Sequence, residues 1–214
     1  MTSIREVSLL LVAMMTIPMP AGAASRDVGG LADQIKRAAQ FCDGTYALCI
    51  KAPCTPIASR GKGGASIDSA LCSCDVVKGW SMGPANCAAR APAQNGNYTT
   101  LMSTYSNRFN ATNKTLSCSS TDTLWAMCYG APCVIDSKDP NKASCSCPVK
   151  QSAASTLGGD CQQNACNSIW SAATPQADAG ANAIFAANMK KNNPTVPSLP
   201  PAEACPATTA TGAR

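Results

Sequence analysis

The longest apolar stretch of the chain lies close to its start. Residues 7–17 carry no charge, Arg5 precedes them and two prolines follow them. Ala21-Gly22-Ala23 then provides the small side chains that a signal peptidase accepts. The stretch is about half as long as a membrane-spanning helix. Residues 1–23 are therefore predicted to be a cleaved export signal, and the mature chain is predicted to be secreted or periplasmic, without a membrane span.

Apolar residues recur with helical spacing on both sides of the cysteine-rich region. Leu31 and Ile35 share one face of a helix predicted in residues 24–41. Two further helices are predicted over 162–173 and 177–191, the second with two lysines in its last turn. Prolines then favour extended chain. The C-terminal part is thus predicted to be a helical segment with a proline-rich run and a disordered tail, residues 162–205 and 206–214.

Short alternating segments predict strands between these helices. Residues 133–137 and 142–147 flank Lys138-Asp139-Pro140-Asn141, a turn sequence, and are predicted to form a hairpin. Asp136 and Asp139 are interpreted as solvated turn residues rather than as a catalytic pair. The matching turn earlier in the chain is Gly-rich, at residues 60–64.

The composition provides little material for a large apolar core, so the chain needs covalent cross-links. Aromatic residues are 5% of the chain, whereas it has 14 cysteines. In an oxidising compartment, disulfides stabilise chains whose hydrophobic core is too small. The net charge of +5 is spread without a long basic run, which argues against nucleic-acid binding.

The cysteine spacings occur twice. Cys49-Ile-Lys-Ala-Pro-Cys54 returns as Cys128-Tyr-Gly-Ala-Pro-Cys133, and a Cys-Ser-Cys follows each of them. Six cysteines of each copy keep this order, which predicts an internal duplication. The predicted parts are a first module, a linker and a second module, residues 42–87, 88–117 and 118–161. The two cysteines outside the frame, Cys166 and Cys205, are predicted to pair with each other.

All fourteen cysteines are predicted to be bridged, although six cysteines allow 15 connectivities and the spacing alone selects none. The predicted disulfide set is Cys42, Cys49, Cys54, Cys72, Cys74, Cys87, Cys118, Cys128, Cys133, Cys145, Cys147, Cys161, Cys166 and Cys205.

The frame resembles the epidermal-growth-factor-like module, which also has a Cys-x-Cys between its fourth and fifth cysteines. Gly79-Trp80 stands where that family often has a Gly-aromatic pair, and Pro148 follows the second Cys-x-Cys. The family's calcium site is not expected, because no carboxylate lies just before Cys42 or Cys118. The resemblance implies the pairings Cys42–Cys54, Cys49–Cys72 and Cys74–Cys87, and then Cys118–Cys133, Cys128–Cys145 and Cys147–Cys161.

Few chemistries remain for catalysis. The chain has no histidine, which removes the usual general base and the commonest metal ligand. The Cys-x-Cys pairs are interpreted as structural disulfides rather than as metal or redox centres, because exported thiols oxidise. No catalytic residue, metal site or cofactor is therefore expected.

Candidate binding residues are of two kinds. Arg60 and Lys62 lie in the loop between Cys54 and Cys72, and Trp80 and Trp125 lie close to cysteines. An exposed tryptophan can bind a sugar or a protein, whereas a buried one covers a disulfide in a small core. Asn97, Asn110 and Asn113 are formal N-glycosylation acceptors.

The predicted fold class is small and disulfide-rich, with two short-stranded β-hairpin modules and flanking short α-helices (α+β). The predicted function is that of an exported binding or structural protein without enzymatic activity. Its partner would be an extracytoplasmic protein or glycan. Two alternatives stay open: a protease inhibitor that presents the Cys54–Cys72 loop, and a histidine-free exported hydrolase that uses serine with lysine or aspartate.

Overall fold

A computed structural model describes residues 39–61, 64–107, 114–157, 166–193 and 203–205. The predicted export signal, most of the predicted N-terminal helix, Lys62 and the predicted tail lie outside these residues. Within them the chain forms ten strands and two helices. In order they are β1 (Gln40–Leu48), β2 (Cys54–Gly61), β3 (Gly64–Gly83), α1 (Cys87–Arg90), β4 (Ala93–Asn95), β5 (Tyr98–Met102), β6 (Thr115–Cys118), β7 (Leu124–Ala126), β8 (Pro132–Ile135), β9 (Lys142–Gln151), β10 (Ala154–Leu157) and α2 (Pro175–Asn192).

Eight strands form one antiparallel sheet in the order β1-β3-β9-β8-β5-β4, with β2 also paired to β3 and β7 to β9. Strands β6 and β10 form a separate pair. The predicted disulfide-rich class is confirmed in its coarse form, since the described residues form mostly antiparallel sheet with few helices, but β3, with 20 residues, is not a short strand. The hairpin predicted around residues 138–141 is also confirmed, since β8 pairs with β9. The two hairpins β2-β3 and β8-β9 are joined edge to edge, because β3 pairs with β9 over seven residue pairs.

Alternation along the two central strands sets the two faces of the sheet. In β9, Ala143, Cys145 and Cys147 are buried while the serines between them are exposed. In β3, Cys72 and Cys74 are buried in the same way. Cysteine therefore occupies the inward positions that aliphatic residues fill in most sheets.

Four disulfides fill the centre of the inner face. Cys54 lies opposite Cys72, Cys72 opposite Cys145, and Cys145 opposite Cys133, which places four cysteines in one row across four strands. The row is closed by the bridges Cys54–Cys72 and Cys133–Cys145, each with its Cα atoms 4.0 Å apart. We call this row, with the two bridges that pack on it, Cys49–Cys74 and Cys128–Cys147, the sulfur core.

The sulfur core joins two halves of the chain, which we define by their outermost bridges: the first half is residues 42–87 and the second half is residues 118–166. The Sγ atoms of Cys49 and Cys145 lie 3.5 Å apart, although they belong to different bridges and are 96 residues apart in sequence. On the other side, the sulfur of Cys128 lies within 4.8 Å of those of Cys54 and Cys72. Each half thus packs a disulfide against the cross-strand bridge of the other half.

The pairings implied by the epidermal-growth-factor-like resemblance are wrong. In the first half the bridges are nested, first cysteine to sixth, second to fifth and third to fourth. Strand register explains this order, because residues that face each other across a hairpin are the ones close enough to bridge. The second half follows the same order, with Cys166 in sixth place. The six bridges are Cys42–Cys87, Cys49–Cys74, Cys54–Cys72, Cys118–Cys166, Cys128–Cys147 and Cys133–Cys145.

The predicted Cys166–Cys205 bridge is also wrong, because Cys166 pairs with Cys118. Cys205 is disulfide-bonded too. Its backbone N–H donates to the carbonyl of Thr115, 2.7 Å away. The C-terminal cysteine is thus held against strand β6, and every cysteine among the described residues is bridged.

Two crossing segments, residues 103–104 and 171–172, each donate backbone hydrogen bonds to both halves of the chain. The N–H groups of Ser103 and Thr104 donate to the carbonyls of Ala131 and Ala47, one in each half. Residues 171 and 172 do the same: their N–H groups donate to the carbonyls of Ala52 and Ala126. The helix predicted over 162–173 is therefore wrong for residues 166–173, whose backbone groups bind neighbouring chain segments instead of forming an α-helix.

The helix predicted over 177–191 is confirmed as α2. Thr174 caps it by accepting from the N–H of Ala177 at 3.2 Å, and two lysines occupy its last turn. Phe185, only 2% exposed, packs its ring against Phe41 and Tyr105, with ring centroids 5.2 and 6.0 Å away. This aromatic cluster fixes α2 on the edge of the sheet.

The segment 88–117, for which the sequence predicts a linker, contributes structure to both halves. It contains β4 and β5, and β5 pairs with β8 of the second half. Ser103, Thr104 and Asn107 are buried. Asn97 is exposed in the turn between β4 and β5, while Asn110 and Asn113 lie outside the described residues.

Cleavage at a protease site placed within residues 108–113 is expected to leave the two fragments associated in native buffer. The β3–β9 pairing and the crossing segments hold them together without a covalent link. In denaturant without reductant the fragments should separate, because the six cysteines before residue 108 pair only with one another. Gel filtration under the two conditions measures this. Fragments that part in native buffer, or that stay joined in denaturant, would contradict the described architecture.

Candidate binding surface

The side of the sheet opposite the sulfur core faces solvent and carries most of the exposed apolar residues. We call this side of strands β2, β3, β9, β8 and β5 the outer face. Residue alternation places Leu71 on it, between the buried Ala70 and Cys72, and Val134 beside the buried Cys133. Four of the five large hydrophobic side chains that are exposed in the described chain belong to the outer face and are 40–49% exposed: Ile57, Leu71, Tyr98 and Val134. The fifth, Ile67, pairs with Ala58 and faces the other side.

Hydroxyl groups lie between these apolar side chains. Val134 faces Ser144, which faces Ser73 in the next strand, and Thr100 lies on the other side of Val134. At one end of the outer face, Lys142 donates to Asp75 at 2.6 Å in an exposed ion pair. The centre of the outer face is therefore hydroxyl-rich and uncharged, with aliphatic side chains.

The hairpin of β2 and β3 extends the outer face beyond the rest of the sheet. Ala58 lies opposite Ile67, next to a register shift that follows Ile57. On the side of this arm that Ile57 shares, Ser59 and Ser66 both donate to Oδ2 of Asp68, at 2.5 and 2.8 Å. Both hydrogen bonds lower the pKa of the Asp68 carboxyl, and the one from Ser59 has the larger effect. The network links the two strands of the arm near its tip.

The predicted binding residues are not brought together on the outer face. Trp125 is 6% exposed, and its Nε1 donates to Oγ of Ser152 at 3.0 Å, so it covers the core. Trp80 is half-buried and stacks on Phe41 with ring centroids 4.9 Å apart. The backbone of Arg60 pairs with Ala65 near the tip of the arm, and Lys62 lies outside the described residues.

Sequence reasoning missed the outer face as a set. Leu71 and Val134 stand beside cysteines that mark the inward positions, so the alternation of each strand indicates that they face outward. What the sequence does not contain is the register that brings Tyr98, Val134 and Leu71 to one side of one sheet. The alternation within each strand indicates which of its residues face outward, whereas the outer face depends on how the strands pair.

A second feature is a cleft of about 90 Å³ between the sheet and α2. Ser155 donates from Oγ to Oδ2 of Asp178 at 3.0 Å, and Tyr105 lines the same cleft. Burial raises the pKa of Asp178, an effect that the hydrogen bond from Ser155 partly offsets. Burial also raises the pKa of Tyr105, with a smaller effect of the Asp178 charge. A serine and a carboxylate thus meet here, but Ser155 is 4% exposed and hydrogen-bonded within the fold.

Replacing Asp178 by asparagine is expected to stabilise the protein more at pH 7 than at pH 3. The carboxyl has a higher pKa in the folded chain than the usual value of about 4 in the unfolded chain. The folded state therefore binds the proton more tightly, and stability falls as the pH rises from about 4 through the folded-state pKa. The asparagine side chain can still accept from Ser155 but cannot ionise.

Urea unfolding of both proteins between pH 3 and pH 7 measures this difference. Asp43→Asn, at an exposed carboxyl, is the control and should not show it. A difference between Asp178→Asn and the wild type that does not change with pH would contradict the expected burial of the charge.

Two groups of three sulfurs lie close enough to resemble metal ligands: Cys49, Cys133 and Cys145, and Cys54, Cys72 and Cys128. All six sulfurs belong to disulfides. Metal binding by cysteine requires the thiolate, so these groups are packing contacts of the sulfur core in the oxidised protein.

No helix in the described part of the chain is both long and apolar enough to cross a membrane. The many bridges fit a protein of an oxidising compartment. No protein-family model matches the sequence, and neither a curated protein nor a solved structure matches it significantly.

Proposed function

We propose that this chain is an exported, disulfide-rich binding protein that holds another extracytoplasmic protein on its outer face. One observation carries the proposal: four of the five exposed large hydrophobic residues of the described chain lie on one side of one sheet, with Ile57 diagonal to Leu71 and Tyr98 diagonal to Val134 on paired strands. Exposed apolar residues scattered singly need no explanation, whereas a contiguous patch indicates an interaction surface.

The composition of the outer face favours a protein partner. Protein interfaces have an apolar centre depleted in charge and a polar rim. Here Leu71 and Val134 lie among serines, and the ion pair of Lys142 and Asp75 lies at the end of the strands. Tyr98 adds an aromatic side chain, a type enriched at interfaces.

The sulfur core supports the proposal through rigidity. A binding surface loses affinity when it must be ordered during association. The strands that carry Leu71 and Val134 are bridged across their inner side by Cys54–Cys72 and Cys133–Cys145. The outer face is therefore preorganised, and its formation costs little at the moment of binding.

We further propose that the two halves descend from one duplicated module. The cysteine spacings motivate it, and the identical nested order of the bridges supports it. The crossing segments add a second argument, since Ser103 contacts Ala131 as Ser171 contacts Ala52. On this proposal, the outer face is built from the equivalent strands of both copies.

Photo-crosslinking tests the binding surface directly. A photoreactive amino acid at Ser144 lies in the centre of the outer face, and one at the exposed Thr121 lies on a turn outside it. When mixed with extracytoplasmic proteins of the native source and irradiated, the Ser144 probe should give a crosslinked protein that the Thr121 probe does not. Leu71→Asp should abolish the product, while Thr121→Asp should not.

Equal products from both probes, or a Ser144 product that persists with Leu71→Asp, would contradict the proposal. An adduct that carries sugar instead of peptide would keep the outer face as the site but replace the protein partner by a glycan.

A second candidate function rests on the projecting arm of β2 and β3, whose exposed residues lie beyond the rest of the sheet. As a protease inhibitor it would present Arg60 to a trypsin-like enzyme. Such enzymes bind extended backbone, whereas the backbone of Arg60 already pairs with Ala65. Inhibition of a trypsin-like protease that is lost with Arg60→Ala would establish this function instead.

A further inference from the structure

Arg90 is a buried cation at the end of helix α1. It is 4% exposed, and none of its three guanidinium nitrogens has a hydrogen-bond partner. Two contacts at the start of the helix fix its position. Asn86 caps α1 by accepting from the N–H of Ala89 at 2.8 Å, and Cys87 in its first turn is bridged to Cys42 in β1.

No carboxylate of the described chain neutralises this cation. The ion pairs there join Lys114 to Glu203 and Lys142 to Asp75. The group that interacts electrostatically with Arg90 is the phenol of Tyr129. Burial raises the pKa of Tyr129 to about 12, an effect that Arg90 partly offsets, so the phenol is neutral at physiological pH. A guanidinium also stays charged, although burial lowers its pKa.

Two further polar groups lie near the guanidinium of Arg90. The hydroxyls of Tyr129 and Thr104 are buried and, like the guanidinium, have no hydrogen-bond partner. Thr104 is a close neighbour of Arg90, because a Cβ at Gly83 would overlap Nη1 of Arg90 and lie 2.7 Å from Cγ2 of Thr104. The lack of a side chain at Gly83 thus provides the room that the guanidinium occupies.

These three groups have one property in common: each can donate a hydrogen bond. A buried charge without a partner costs several kcal/mol. Arginine offers five N–H donors in a planar fork, and each hydroxyl offers one. Charge-assisted hydrogen bonds to an anion are the strong kind in a low-dielectric surrounding. Such a cluster is suited to an anion and unsuited to a cation.

We infer that Arg90, Tyr129 and Thr104 bind one small monovalent anion, either chloride or the carboxylate of a small organic acid. Thr104 and Tyr129 also line the cleft of about 90 Å³, which gives the anion a route from solvent. The site is separate from the outer face, so this inference does not depend on the proposed binding partner. Its role is to neutralise the guanidinium and tie α1 to residues 104 and 129.

Stability in different sodium salts at constant ionic strength tests the site. The urea midpoint of the wild-type protein should rise with chloride or formate concentration and stay level in gluconate, which is too large to enter. Whichever of chloride and formate stabilises at the lower concentration identifies the anion. Binding to the folded state alone produces such a dependence.

Variants show whether Arg90 is responsible. Arg90→Met should show no dependence on chloride or formate and, without these anions, should be at least as stable as the wild type. Tyr129→Phe should need more anion for the same shift. Lys142→Met, which removes an exposed cation on the outer face, should keep the wild-type dependence.

Equal behaviour of the wild type in chloride and gluconate, or an unchanged dependence in Arg90→Met, would overturn the inference. If Arg90→Met does not fold, crystals of the wild-type protein grown in bromide and in formate decide the matter. An anomalous bromide peak beside the guanidinium, or formate density there in crystals grown in formate, supports the site, and ordered water there in both crystals overturns it.

Discussion

Replacing Cys133 and Cys145 together by alanine is expected to lower the free energy of unfolding by roughly 5 kcal/mol and to loosen both halves of the chain. The bridge closes a short loop, which accounts for about 3 kcal/mol on the loop-entropy estimate. Each of the two buried sulfurs lost from the sulfur core adds on the order of 1 kcal/mol through the cavity it leaves. A loss of this size approaches the whole stability of a small domain.

Hydrogen exchange reveals where the loosening occurs. Because the sulfur of Cys49 contacts that of Cys145, protection should fall in β1 and β3 of the first half as well as in β8 and β9. The matched control replaces Cys42 and Cys87 by alanine. That bridge closes a longer loop, worth about 4 kcal/mol on the same estimate, but ends at the exposed Cys87. Its loss should loosen α1 and β1 while leaving β8 and β9 protected. Exchange confined to the second half in the Cys133/Cys145 variant would show that the sulfur core does not couple the halves.

Replacing Phe185 by alanine is expected to cost about 3–5 kcal/mol, the range for removing a buried aromatic ring. Phe185 is the buried residue of α2, and its ring contacts Phe41 and Tyr105. Most helical stability in proteins comes from tertiary packing, so α2 depends on these contacts. Circular dichroism should show loss of helical signal before loss of the sheet as urea is raised.

Ile184→Ala is the control for this effect. The residue precedes Phe185 in the same helix but is only partly buried, so its truncation should cost much less. Similar losses for the two variants would mean that α2 is held by its whole surface rather than by the aromatic cluster.

Local features of the fold were predictable from the sequence. Helix α2 has a Pro-containing start and lysines at its end, and the β8–β9 turn has Asp136 and Asp139, whose carboxylates accept backbone N–H groups at 2.8 and 3.0 Å. These signals act within a few residues, which is why the prediction captured them.

Features that depend on distant pairing were not predictable. The bridge order follows from the register of β2 on β3 and of β8 on β9, and spacing alone allows many connectivities. Residues 166–173 have a helical pattern, yet the N–H groups of Ser171 and Ala172 donate to carbonyls of both halves. For the same reason the outer face, which needs β3 beside β9, emerges only from the assembled sheet.

Nesting of the bridges has a consequence for how the protein matures. The innermost bridges, Cys54–Cys72 and Cys133–Cys145, join cysteines that follow each other in the sequence, at separations of 18 and 12 residues. The outermost, Cys42–Cys87 and Cys118–Cys166, span 45 and 48 residues with four cysteines or more between their ends. An oxidase that joined cysteines in their order along the chain would link Cys42 to Cys49 first. On the proposed export, oxidative folding of this chain is expected to proceed from the hairpins outward and to need a disulfide isomerase, so a host that supplies only an oxidase should accumulate scrambled forms.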